Sequence, residues 1–163
     1  MIDTRNVLMD FTNELRSRIE YNGLTYRQVA FEARITRTKM NEYKFGRTFP
    51  ELWNLLLIAD CLDCSIDELL GYSKTGFAEL RNSKVRVINV MPNNDVFADF
   101  FRMRLERYMQ NNRITVADLS KRSGFKESTL EMYLSVHRWV PRTADFIKLC
   151  DSLDCTPSNI LGY

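Results

Sequence analysis

The sequence predicts an all-α protein built as two tandem five-helix bundles joined by a linker. Three observations predict it. First, the chain repeats itself. Slid by 90 residues, Phe11 falls on Phe101, Leu15 on Leu105, Asn22 on Asn112, Thr25 on Thr115 and Tyr43 on Tyr133. Past Tyr43 the offset is 91, so that Pro50 meets Pro141 and LeuGlyTyr at 70–72 meets LeuGlyTyr at 161–163. Second, the apolar residues of each copy recur at helical spacing. Third, 163 residues with 45 % hydrophobic and 27 % charged side chains make ordinary globular composition, enough for at most two small domains. The expected division is 1–72, a linker at 73–92, and 93–163.

The elements follow in order. Val7, Phe11, Leu15 and Ile19 form the core stripe of a first helix, with Asp3 or Thr4 as its N-cap. Phe97, Phe101, Leu105 and Met109 repeat that stripe after Asn93 or Asn94. Asn22–Gly23 and Asn111–Asn112 end these helices with residues that tolerate a left-handed cap. Thr25 and Thr115 cap short second helices that turn Val29 and Ala30, or Leu119 and Ser120, inward. Turns at 33–36 and 123–126 lead to third helices burying Met40 and Tyr43, or Leu130 and Tyr133. Pro50 and Pro141 break the chain before fourth helices lined by Leu52, Leu55, Leu56, Ala59 and Leu62, or by Phe146, Leu149 and Leu153. Ser65 and Thr156 cap the fifth helices. The one-residue insertion between Tyr133 and Pro141 belongs to a loop.

In the linker, Lys84 to Val90 alternates and is β-branched, the pattern of a short strand. A lone strand is unstable, so it would pair with the same strand of a second chain or pack as an extended arm. A homodimer through this strand or through the second copy follows as an expectation.

Copy one reads LeuThrTyrArgGlnValAla at 24–30, then IleThrArgThrLysMetAsnGluTyrLysPheGly at 35–46, and closes on AlaAspCysLeuAspCysSerIleAspGluLeuLeuGly at 59–71. Each copy thereby resembles the Cro/C1-type, or XRE-like, helix-turn-helix family, whose fold is a lambda-repressor-like bundle. The resemblance covers nearly all of both copies. It implies a double-stranded DNA-binding transcriptional regulator, a repressor of bacterial, phage or mobile-element type. Departures exist. The family's turn glycine is Gly124 in copy two but Arg34 in copy one. The phosphate-binding Gln after the capping Thr is replaced by Tyr26 and Val116, and Lys126 stands where Ser or Thr would cap the third helix.

In this fold the second helix of the motif enters the major groove with its N-terminal side chains at base edges. Copy one places Thr36, Arg37, Thr38, Lys39, Asn41 and Glu42 there. Arg and Lys suit guanine, Asn suits adenine, and Thr takes either role. Arg27, Lys44 and Arg47 suit phosphates. The net charge of the chain, +2, does not suggest nucleic acid, but it is an average. Residues 25–49 carry net +4 within a copy of net −2. In copy two the candidates are Lys126, Ser128, Thr129 and Arg138, with net +2 over 115–142 and an acidic residue, Glu127, in the leading position. The first copy is therefore expected to dominate base reading. The rival reading is a protein-binding inhibitor or adaptor module that reuses the fold.

No catalytic constellation is present. His137 is the one histidine, and Cys61, Cys64, Cys150 and Cys155 read as buried thiols, not as a metal set or disulfides. The sequence predicts no enzyme, no cofactor, no metal and no small-molecule ligand. No run of about 18 apolar residues could span a membrane, and MetIleAspThrArg at the start lacks a signal peptide's apolar block, so a cytoplasmic protein is expected.

Overall fold

The computed structural model describes residues 2–72 and 93–162, and every regular element among them is an α-helix. The linker at 73–92, with the strand predicted at 84–90, lies outside the described residues. The chain forms two compact units, one on residues 3–72 and the other on 93–162.

In unit one, α1 (Thr4–Tyr21) starts at Asp3, whose carboxylate accepts from the Arg5 amide at 2.9 Å. The four residues of the predicted stripe, Val7, Phe11, Leu15 and Ile19, are buried. Phe11 is fully buried beside Phe49, ring centroids 6.3 Å apart, so truncating it to Ala costs about 3–5 kcal/mol. Gly23, left-handed at φ 63°, lets the Leu24 amide return to the Ile19 carbonyl. Then come α2 (Tyr26–Glu32), α3 (Arg37–Lys44), α4 (Leu52–Cys61) and α5 (Ile66–Leu69). Helix α4 is the most buried, hiding Leu52 and an unbroken run from Leu55 to Ala59. Both α3 and α5 pack on α1, and α2 packs on α3 and α4. One charged side chain is buried. Arg18 reaches Glu68 at 3.3 Å and Glu14 at 3.5 Å. Burial pushes the Glu68 carboxyl up, but hydrogen bonds from Ser65 and the Arg18 guanidinium outweigh it, leaving it below the usual glutamate range.

In unit two, α6 (Asn94–Asn111) starts at Asn93, whose side chain accepts from the Val96 amide at 3.0 Å. It buries Phe97, Phe101, Leu105 and Met109 as predicted, together with Ala98. The Phe101 ring meets the edge of Phe146 at 5.8 Å. Helices α7 (Val116–Ser123), α8 (Glu127–Leu134), α9 (Thr143–Ser152) and α10 (Pro157–Leu161) complete the unit. Here α8 and α10 pack on α6, and α7 packs on α8 and α9.

The end of α6 departs from expectation. Neither Asn111 nor Asn112 is left-handed; the residue with φ 53° is Arg113. Asn112 caps the helix instead, its side-chain amide donating to the Tyr108 carbonyl at 2.8 Å. Its amide thus secures the last turn, and the chain reverses one residue later, where Gly23 stands in unit one. Ser120 is half-buried, since its hydroxyl donates to the Phe125 carbonyl at 2.7 Å. The cysteines also differ in part: Cys64 and Cys150 are buried, but Cys61 and Cys155 are only half-buried. The loop between the third and fourth helices spans 45–51 in unit one and 135–142 in unit two, so the extra residue falls there.

Candidate nucleic-acid interface

The candidate site in unit one is the α2–turn–α3 motif. Thr25 fixes its start through a reciprocal cap. Its hydroxyl accepts from the Gln28 amide at 3.2 Å, while Gln28 Oε1 accepts from the Thr25 amide at 2.8 Å. Gln28 therefore serves the cap. The turn is closed by Arg34 in the left-handed conformation, φ 56°, where unit two has Gly124 at φ 74°. Ile35 is buried just beyond, and Thr36 opens α3 by accepting from the Lys39 amide at 3.3 Å. Val29, Ala30, Ala33, Met40 and Tyr43 form the underside of the motif.

With that side buried, the other side of the motif is polar and cationic. Arg27, Thr36, Arg37, Thr38, Asn41 and Arg47 are exposed, and Lys39 and Lys44 are half-buried. Arg27, Arg37 and Asn41 come together with Tyr26, Ala30 and Met40 around an open groove of about 270 Å³. Lys44 lies over the Tyr26 ring at 4.9 Å and the Phe45 ring at 5.4 Å, and Arg47 lies over Phe45 at 5.7 Å. The aromatic rings orient these two cations beside the groove without neutralising them.

Lys39 differs from the rest. Its Nζ stands 2.8 Å from Glu51 Oε1, and this hydrogen bond holds the ammonium above the ordinary lysine range despite some burial. Sequence reasoning missed this partner. Glu51 is 12 residues away and belongs to another element, so no helical spacing links the two. The exposure of Phe31, at 81 %, was also missed, although it follows the inward pair Val29–Ala30 and must therefore point elsewhere.

In unit two, Thr115 and Asp118 form the same reciprocal cap, and the Thr115 bonds hold the Asp118 carboxyl below the usual range. Gly124 makes the turn, and Lys126 begins α8 with no side-chain cap. Lys126 and Ser128 are exposed and Thr129 is half-buried, but Glu127 and Glu131 are exposed among them. Arg138 is engaged. Its guanidinium lies 3.4 Å from Asp95 and 3.3 Å from Asp99, both on α6. The positions 90 residues earlier, Arg5 and Met9, carry no acid. Val136 and Trp139 flank Arg138 and are exposed at 73 % and 54 %.

Unit two carries the reciprocal cap at Thr115, a reversal at Gly124 and a left-handed turn at Gly162. Residues 104–163 match the Cro/C1-type HTH DNA-binding domain family. The match runs from the second half of α6 through α10 and so contains the Cro/C1-type motif α7–α8. No curated protein and no solved structure matches the chain. A Cro/C1-type domain points to a DNA-binding regulator acting on double-stranded DNA. Among the described residues, no group of three or more His, Cys, Asp and Glu could hold a metal ion, and no helix is long and apolar enough to cross a membrane.

Proposed function

We propose that the chain is a sequence-specific regulator, a repressor of bacterial, phage or mobile-element type, with two tandem helix-turn-helix units that read double-stranded DNA. Unit one supplies most of the base reading, and no enzymatic step is involved. The observation that carries this reading is the α2–α3 groove, where Arg27, Arg37 and Asn41 converge on an exposed, cationic face. Docked in the major groove, α3 brings Arg37, Thr38, Lys39 and Asn41 toward base edges, while Arg27, Lys44 and Arg47 hold phosphates. Lys126, Ser128 and Thr129 give unit two a smaller contact, with Arg138 already committed to Asp95 and Asp99. Chains pair, through the segment at 84–90 or through unit two, to place two such heads on DNA.

The test is selection from random duplexes with the whole chain, followed by binding of the enriched site. Arg37→Ala lowers affinity for that site by about 1–3 kcal/mol. An unchanged affinity and footprint refutes the assignment.

A protein-binding role has one observation in its favour. Helix α8 exposes two acids, Glu127 and Glu131, and the loop that follows it exposes Val136 and Trp139. Salt separates the two readings. A complex that neutralises several phosphates weakens steeply with salt, whereas a salt-insensitive complex with a protein favours the second.

A further inference from the structure

We infer that Glu51 sets the sequence specificity of unit one by holding the Lys39 ammonium until a suitable base edge replaces the carboxylate. The inference rests on the DNA reading of α3. Glu51 stands at the head of α4, yet its side chain makes no cap there. It spends its carboxylate on Lys39, at 2.8 Å, with side chains 70 % and 45 % exposed. An exposed pair of this kind adds little to stability, so the fold does not require it. Nor is it a general feature of the bundle. The residue after the shared proline is Arg142 in unit two, and the residue 90 beyond Lys39 is Thr129. The pair occurs only where the third helix is basic.

The consequence on DNA is electrostatic. For α3 to enter a groove, either the pair opens or Glu51 travels with Lys39 toward the phosphates, where a carboxylate is repelled. At a site without a suitable base the pair stays closed, so Lys39 is withheld from phosphate and Glu51 adds its repulsion. At a base presenting acceptors, guanine above all, the pair opens, because Lys39 there regains a strong partner. The incorrect site thus loses a phosphate contact and meets a repelled carboxylate, the correct site loses only the small cost of opening an exposed pair, and the gap between them widens. Arg27 and Arg37 have no carboxylate within ion-pair distance among the described residues, so the restraint acts on Lys39 alone.

The test uses the full chain, a random-sequence duplex and the duplex enriched by selection, with affinity measured over a salt series. Glu51→Gln binds the random duplex about two- to fivefold tighter. Its log–log salt slope steepens by about 0.9, one more cation being available to phosphate. The enriched duplex gains less, so the specificity ratio falls. In a Lys39→Met background, Glu51→Gln changes random-duplex affinity by less than about twofold. Glu51→Ser, which supplies a good cap to α4 while breaking the pair, repeats the Gln result and excludes a folding defect. If the wild-type chain binds no duplex, the DNA reading fails and takes this inference with it. Wild-type binding with no change in Glu51→Gln overturns the inference alone. So does a gain that persists without Lys39, since Glu51 would then act as a bare repulsive charge.

Discussion

Arg47 and Arg138 each stand three residues before a proline, yet replacing each by Gln has different consequences. Arg47 is exposed and rests on the Phe45 ring, with no carboxylate at hand among the described residues. Arg47→Gln removes one cation available to phosphate. The log–log salt slope falls by about 0.9 and affinity drops roughly fivefold, about 1 kcal/mol, whatever the sequence. Its effect on stability stays within about 0.5 kcal/mol, as for other surface changes. Arg138 is half-exposed and bridges Asp95 and Asp99 at 3.4 and 3.3 Å. Two such exposed pairs, discounted for screening, contribute about 0.5–1 kcal/mol together. Both Arg and Gln bear the same penalty at this left-handed position, φ 60°, so that term cancels. Arg138→Gln therefore lowers the melting temperature of unit two by about 2–8 °C and leaves the salt slope unchanged. Fluorescence anisotropy across a salt series and thermal melts read both quantities. Equal loss of salt slope at the two positions would refute the reasoning, because Arg138 would then serve phosphate despite its two aspartates.

Two further outcomes concern the fold. Arg34→Gly removes a side chain from a left-handed position that unit two fills with glycine, and it stabilises unit one by about 0.5–1 kcal/mol in urea denaturation; a lower midpoint would show that the Arg34 side chain contributes more than its backbone costs. The depressed Glu68 carboxyl stabilises unit one above the unfolded glutamate pKa, and that stability is lost as pH falls through the lower folded value. Glu68→Gln is thus less stable at neutral pH and shows a shallower acid limb in pH-dependent melts; an acid limb identical to wild type would remove Glu68 from the account.

What could be read from sequence depended on the range of the interaction. The stripes Val7–Phe11–Leu15–Ile19 and Phe97–Phe101–Leu105–Met109 were legible because burial of a helix face imposes a local period. Thr25, Thr115 and Ser65 were legible as caps because the hydrogen bond spans three residues. The convergence of Arg27 with Arg37 and Asn41 was implied by the motif, since two short helices joined by a tight turn must share a groove. The partners of the cations were not legible. Lys39 finds Glu51 across a loop, and Arg138 finds Asp95 and Asp99 some 40 residues back, on helices whose relative placement depends on the whole core. The left-handed turn after α6 was misplaced by one residue because Asn112 used its side chain to cap and left the reversal to Arg113.

The uncapped start of α8 has a dynamic consequence. At α3 the Thr36 hydroxyl occupies the Lys39 amide, whereas Lys126 offers α8 no such acceptor. A missing cap costs about 1 kcal/mol, which multiplies the population of the frayed first turn roughly fivefold. Helix α8 therefore unwinds from its leading end, and the Thr129 amide proton exchanges with solvent ahead of that of Lys39. The third helix of unit one is thus held more firmly at its leading end than the third helix of unit two, where a bound partner has more fraying to suppress.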